Sequence, residues 1–183
     1  LLLVAGGSKV NAAGGDRLAW AHDEGSLALM HGDRQVWTFH YGAEHTKPFF
    51  HPVSVPGIPA LTWRSPPDHP WHYGVWFSWK FIIGVNFWEE DRGTGTPAGT
   101  TSWSVPEIET GVDFSCRIVM ELRYHLPGQT PVLTERRILE TTPPAADGSF
   151  FIDWDHTFTA ATDVVLDRTP LPDEPGGKAW GGY

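Results

Sequence analysis

Between Pro66 and Lys80 the chain reads PPDHPWHYGVWFSWK, placing two histidines, an aspartate, three tryptophans and a lysine within fifteen residues. Imidazole exchanges protons near neutral pH, and a neighbouring carboxylate can fix which ring nitrogen carries the hydrogen. His69 and His72, with Asp68 beside them, are therefore candidates for acid/base catalysis. Trp71, Trp76 and Trp79 offer flat apolar faces on which a sugar ring can stack. Tyr73 adds a hydroxyl to the same stretch. Upstream, HTKPFFHPV contributes His45, Lys47 and His51, and Arg64 precedes the proline pair. Lys47 and Arg64 could hold a carboxylate or hydroxyl of a substrate, with His51 alongside. His156, in WDHTF, falls on the apolar side of an alternating run and reads as a core histidine, with Asp153 and Asp155 as solvated strand residues.

The spacing matches no metalloprotease pattern such as HExxH, and no thiolate cluster accompanies it. Neither a metal nor another cofactor is expected. A nucleophile elbow, a phosphate-binding glycine loop and a dinucleotide fingerprint are all absent from the sequence. The run GTGTPAGTT, residues 93–101, reads as a surface loop because it follows an acidic stretch and contains Pro97.

Pro66, Pro67 and Pro70 keep the histidine segment out of helices and out of sheet interiors. It must be a rigid loop between one strand ending near Trp63 and another beginning near Val75, a usual place for functional groups on a β-scaffold. The rest of the chain supplies that scaffold. From Val112 to Tyr124 apolar residues alternate with polar ones, the mark of a half-buried strand. LPGQTP then turns the chain, and Val132 to Glu140 returns as a hairpin partner. Leu133 and Ile138 differ in parity, which predicts a bulge near Arg136 and Arg137. A third run places Ile152, Trp154, His156 and Phe158 on one inward face. SLALMHG, RQVWTFHYG, KPFFHPVSV and ALTWRS are further short β-type runs, divided by some of the 20 glycines and 16 prolines. The expected fold is all-β, an antiparallel β-sandwich.

With 183 residues, 40% of them hydrophobic and 19% charged, the chain has the size and balance of one globular domain. A net charge of −9 speaks against nucleic acid as a partner, since phosphate binding needs a basic footprint. No apolar run approaches the roughly twenty residues of a membrane span, so no membrane partner is expected. The single cysteine, Cys116, excludes an internal disulfide. Leu1 to Ala5 and the small residues of Val10 to Ala12 read as a signal-peptide remnant over residues 1–12, implying a secreted or periplasmic protein. Residues 13–183 read as one domain, incomplete where GGKAWGGY ends. The sequence fixes no oligomeric state.

The segments KPFFHPVSVPG, LTWRSPPDHPWHYGVWFSW, GVNFWEE, TERRILE and FIDWDHTFTA, in that order, resemble the PmoA-like family, labelled "methane oxygenase PmoA". Asp68, His69, Pro70, His72, Gly74, Trp76 and Phe77 match its central motif. Trp71 stands where the family usually has histidine, and Tyr73 where it usually has arginine. The resemblance spans roughly Phe39 to Tyr183. It implies a galactose-mutarotase-like sandwich and an association with sugar-processing enzymes. The expected activity is hydrolysis, elimination or epimerisation of a carbohydrate, a small molecule or an oligosaccharide, by histidine acid/base chemistry. The alternatives are a non-catalytic carbohydrate-binding domain and, from the family label, a metal-dependent oxygenase.

Overall fold

A computed structural model describes residues 17–55 and 58–179. The proposed signal remnant, residues 1–12, lies outside the described residues. Among those residues there is no helix, and every strand pairing is antiparallel. The first sheet follows chain order: β1 (Leu18–Asp23), β2 (Ser26–His31), β3 (Arg34–His40), β4 (Phe49–Val53) and the two-residue β5 (Val75–Trp76). Two short strands, β6 (Phe81–Ile82) and β7 (Val85–Asn86), begin a small sheet. The second main sheet contains β8 (Thr100–Trp103), β9 (Glu107–Thr110), β10 (Cys116–His125), β11 (Leu133–Thr141) and β12 (Ile152–Ala160). Its order is β12-β11-β10-β8, with β9 also on β10, while β13 (Leu166–Asp167) completes the small sheet against β6.

Alternation creates the core. Cys116, Ile118, Met120, Leu122 and Tyr124 all turn inward from β10 and are buried. They meet Leu27, Leu29, Trp37, Phe39 and Phe50 of the first sheet in one continuous cluster, so the two sheets face each other as a sandwich. Each fully buried side chain of this size contributes about 1.5–3 kcal/mol of transfer free energy. Rings and hydrogen bonds cross the interface. Phe50 meets Trp154 at 6.0 Å, and Trp103 Nε1 donates to the Tyr41 carbonyl at 2.8 Å. Burial pushes the Cys116 thiol up to about 12, which leaves it an unreactive core group.

Three expectations about strands need correction. The long hairpin strand starts at Cys116, not Val112. Gly111–Ser115 is a turn closed by Gly111 N–H donating to the Ser115 carbonyl at 2.7 Å, and Val112 is 100% exposed. No bulge occurs at Arg136 and Arg137, because β10 and β11 stay in unbroken register from Cys116↔Thr141 to Tyr124↔Leu133. Ile138 faces outward, and the inward positions between Leu133 and Leu139 belong to Glu135 and Arg137, both 0% exposed as side chains. ALTWRS forms no strand, since only Arg64 pairs, in a single bridge to Tyr73.

The charges inside the sandwich neutralise each other. Glu135 Oε1 accepts from Arg137 Nε at 2.5 Å and from His156 Nδ1 at 2.7 Å. Its Oε2 accepts from Arg137 Nη2 at 3.0 Å and from the Tyr124 hydroxyl. Burial alone would raise the Glu135 carboxyl, but the hydrogen bonds from His156 and Arg137, the guanidinium charge and the Tyr124 hydroxyl outweigh it and hold it at about 2. His156 is thus a satisfied inward residue, and Trp154 shares its face, though Trp154 is only half-buried.

A carboxyl held below its ordinary value of 4.5 stabilises the fold fully above that pH and loses its contribution as pH falls toward 2. Urea titrations between pH 5 and pH 2 should therefore show a loss of roughly 3 kcal/mol from this group, absent in Glu135→Gln. Arg137→Met, which strands the carboxylate, should cost about 3–5 kcal/mol at pH 7. A cost below 1 kcal/mol would mean that the pair is not buried as described.

Candidate functional site

The histidine loop is closed at its base by the Arg64–Tyr73 bridge and by Ser65 N–H donating to the His72 carbonyl at 2.7 Å. Inside it, His69 N–H donates to Pro66 O and His72 N–H to His69 O, each at 3.0 Å, forming two successive tight turns. Gly74 then leads into β5 with φ +93°, where a Cβ would stand 2.5 Å from the Phe50 carbonyl. Only glycine lets the loop return this close to β4.

Beneath the loop lies Lys47, 2% exposed. Its Nζ donates to the carbonyls of Trp88 at 2.8 Å and Trp71 at 3.3 Å and lies 3.5 Å from Glu90 Oε1. The ammonium also sits 4.4 Å from the Trp76 ring centroid and 4.9 Å from that of Tyr73. Burial lowers it to about 8, against the opposing pull of Glu90. Glu90 in turn accepts from the Tyr73 hydroxyl at 2.7 Å and from Thr46 Oγ1.

Above the clamp is a cleft of about 690 Å³. The loop supplies Asp68, His69, Trp71 and His72 to it; the segment after β7 supplies Trp88, Glu89 and Arg92; Lys80 and Thr169 complete the lining. The two imidazoles are 4.9 Å apart between ring centroids. His69 Nδ1 lies 3.0 Å from Asp68 Oδ2, with the side chains 39% and 77% exposed. The hydrogen bond from His69 lowers the Asp68 carboxyl. In neutral His69 this contact places the hydrogen on Nδ1 and leaves Nε2 as the basic nitrogen. Burial lowers His72, with the charges of His69 and Lys47 adding to the effect, so its neutral form dominates at pH 7. Lys80 is buried and paired with Glu89, which also accepts from Asn86 Nδ2 at 3.2 Å. The cleft thus combines two imidazoles, two indoles and a rim bearing both signs of charge.

Of the residues expected to bind substrate, Trp71 lines this cleft and the others stand elsewhere. Lys47 is buried beneath it as a clamp and cannot touch a ligand there. Trp76 packs against Trp88 at 4.4 Å and over the Lys47 ammonium. Trp79 turns toward Phe77 and Phe158 on the inner side of the sandwich. Tyr73 rests on Phe49 at 5.0 Å, where the Arg64 guanidinium also sits, 5.1 Å from the ring. His51 Nδ1 is 2.9 Å from Thr62 Oγ1, and its carbonyl accepts from His40 Nε2 at 2.7 Å. His51 and Arg64 belong to this second aromatic group with His40 and His45, whose rings flank Phe49 at 4.6 and 5.0 Å.

Trp88, Glu89, Arg92, Lys80 and Thr169 were missed as lining residues. The signal for three of them was the polar cluster WEEDRG, which was read as the flank of a loop and, through GVNFWEE, as part of the family resemblance, but not as part of the site. Among the described residues no group of three or more His, Cys, Asp or Glu side chains is arranged to hold a metal ion.

Residues 26–182 match the model of a protein family described as "Family of unknown function (DUF6807)". No curated protein and no solved structure matches the chain.

Replacing the clamp tests its role. Lys47→Met leaves two carbonyls without a donor and Glu90 without its cation, and should cost about 3 kcal/mol. Because Lys47 is lowered from 10.5 to about 8, its burial penalty is full below pH 8 and is relieved as pH rises toward 10.5. The stability of the wild type relative to Lys47→Met should therefore increase across that interval. A flat difference would place the ammonium in water.

Proposed function

We propose that this protein, which belongs to the DUF6807 family of unknown function, binds a carbohydrate in the His69–His72 cleft and acts on it by proton transfer. The observation that carries the reading is the imidazole pair, 4.9 Å apart in the same cleft as Trp71 and Trp88. An indole face matches the apolar face of a sugar ring, while imidazoles and charged rim groups match its hydroxyls. His72, held neutral, is the base of the pair. His69, oriented by Asp68, is the acid of the pair. Hydrolysis, elimination and epimerisation can each use such an acid–base pair. The PmoA-like resemblance and its mutarotase-like sandwich belong to the same reading, since they associate the fold with sugar chemistry. The oxygenase alternative finds no donor set among the described residues to support it.

A panel of neutral and acidic oligosaccharides, followed by tryptophan fluorescence and product analysis, tests the proposal. His69→Ala and His72→Ala should each abolish turnover while changing stability by no more than about 1 kcal/mol, because neither ring is fully buried. Trp71→Ala should weaken binding. Turnover by the wild type should decline on the acid side below the ordinary imidazole value of 6.5, where His72 becomes protonated. Binding without any product would favour the non-catalytic carbohydrate-binding alternative. No binding by any sugar would sink both.

A further inference from the structure

Hydrolysis, elimination and epimerisation place different demands on an acid and a base, and the cleft meets one set of them. Both imidazoles come from one tight loop, with ring centroids 4.9 Å apart, so they approach a substrate from the same side. Epimerisation takes a proton from one face of a carbon and returns one to the other. Inverting hydrolysis sets its acid and base on opposite faces of the sugar, roughly 6.5–9.5 Å apart with water between. Retaining hydrolysis needs a carboxylate nucleophile beside the acid. Both carboxylates of the cleft are already engaged: Asp68 Oδ2 lies 3.0 Å from His69 Nδ1, and Glu89 is paired with the buried ammonium of Lys80. Syn elimination is the remaining case, because it removes a hydrogen and a leaving oxygen from adjacent carbons on one face.

The remaining charge in the lining defines the substrate. Arg92 is exposed on the wall formed by the segment after β7, and it makes no ion pair among the described residues. Its backbone is fixed from both sides. Trp88 and Glu89 N–H donate to Asn86 Oδ1 at 2.8 and 3.0 Å. Gly93 and Thr94 N–H donate to Asp91 Oδ1 at 2.8 and 3.0 Å, and Gly95 N–H donates to Asp91 O at 2.7 Å. The guanidinium is left to take an anion, and it suits a carboxylate through two parallel hydrogen bonds. We infer that the substrate is a uronic-acid oligosaccharide and the reaction a syn β-elimination, with Arg92 holding the carboxylate; this rests on the carbohydrate reading of the same cleft. Arg92 neutralises the carboxylate and stabilises the charge that develops on it, so that an imidazole can remove the hydrogen from the α carbon. Neutral His72 takes that hydrogen as a proton, and the C–H electron pair becomes the double bond between the α and β carbons. The bond from the β carbon to the glycosidic oxygen breaks, and the oxygen leaves with the proton of His69. The products are an α,β-unsaturated uronate and a chain ending in a hydroxyl, and no water or oxidant is consumed. His72 then releases its proton to solvent and His69 regains one. The α hydrogen and the glycosidic oxygen must share a face, as they do in glucuronate and mannuronate and do not in galacturonate.

The test uses oligomers of glucuronate, mannuronate and galacturonate, each linked through the oxygen on the β carbon, with cellulose fragments as the neutral counterpart. Ultraviolet absorbance and mass spectrometry identify the products. The wild type should convert glucuronate or mannuronate oligomers to chains ending in an unsaturated uronate, lighter by one water than a hydrolysis product. Galacturonate oligomers and cellulose fragments should give none. Arg92→Gln should lower kcat/KM on the acidic oligomers by about tenfold to a hundredfold, the value of a hydrogen bond to a charged group, and Arg92→Lys should recover part of the loss. Arg92 is exposed, so neither change endangers the fold. Saturated products, turnover of cellulose fragments alone, or binding without product rejects the elimination and leaves a carbohydrate site. Equal conversion of galacturonate overturns the one-sided geometry, and full activity of Arg92→Gln overturns its place in the site. An absence of binding with every sugar rejects the carbohydrate reading as well.

Discussion

The ammonium of Lys47 has almost no water around it, and the site is built on the way the protein compensates for that. A buried cation must find acceptors nearby, and the two nearest are the backbone carbonyls of Trp71 and Trp88. Those residues lie on separate segments, one in the proline-rich loop and one after β7, and each supplies an indole to the cleft. One side chain therefore sets the spacing between two walls that no strand ladder joins directly. Glu90 balances the charge and in turn holds the hydroxyls of Tyr73 and Thr46. The walls remain where this group of contacts puts them, which is the preorganisation a binding cleft needs.

The interior of the sandwich meets the same electrostatic constraint differently. Glu135 and Arg137 are two residues apart on β11, so they project from one face and reach each other as an ion pair. Tyr124 and His156 supply the remaining hydrogen bonds from the strands on either side, β10 and β12. A pair of this kind adds little net stability compared with apolar residues of similar volume, but removing either partner alone is costly. Its consequence is positional. It ties three strands together, and it holds the His156 ring among Phe77, Trp154 and Phe158.

Histidine consequently occupies three different settings in this fold. His69 is partly exposed beside an exposed carboxylate, and His72 is half-buried with its proton affinity reduced. His40 and His45 flank Phe49, His51 joins them through its carbonyl, and all three lie within reach of the Arg64 charge; desolvation lowers all three, and Arg64 adds to it. His156 is held by a buried carboxylate. At neutral pH the surroundings, rather than the residue type, decide which imidazole can exchange a proton with a ligand.

The all-β class, the long hairpin and the loop character of residues 66–74 were legible in the sequence, because alternation and proline act locally. Strand parity shows in a stretch of residues, and a ring that removes an N–H needs no tertiary context to exclude a helix. The same local logic explains where the reading failed. Alternation was extended to Val112 because the pattern continues there, although no partner strand does. A bulge was invoked at Arg136 and Arg137 because Leu133 and Ile138, of opposite parity, were both taken to face inward. Only the tertiary structure could show that two opposite charges of equal parity satisfy each other inside, since their pairing with Tyr124 and His156 joins residues from three strands. The same holds for the cleft. Asp68, His69, Trp71 and His72 are near one another in the chain and were found there, whereas Trp88, Glu89 and Arg92 reach them through packing around Lys47. The sequence alone named Lys47 as a ligand-binding cation; its burial made it the clamp, because burial is a property of the assembled chain and not of the residue.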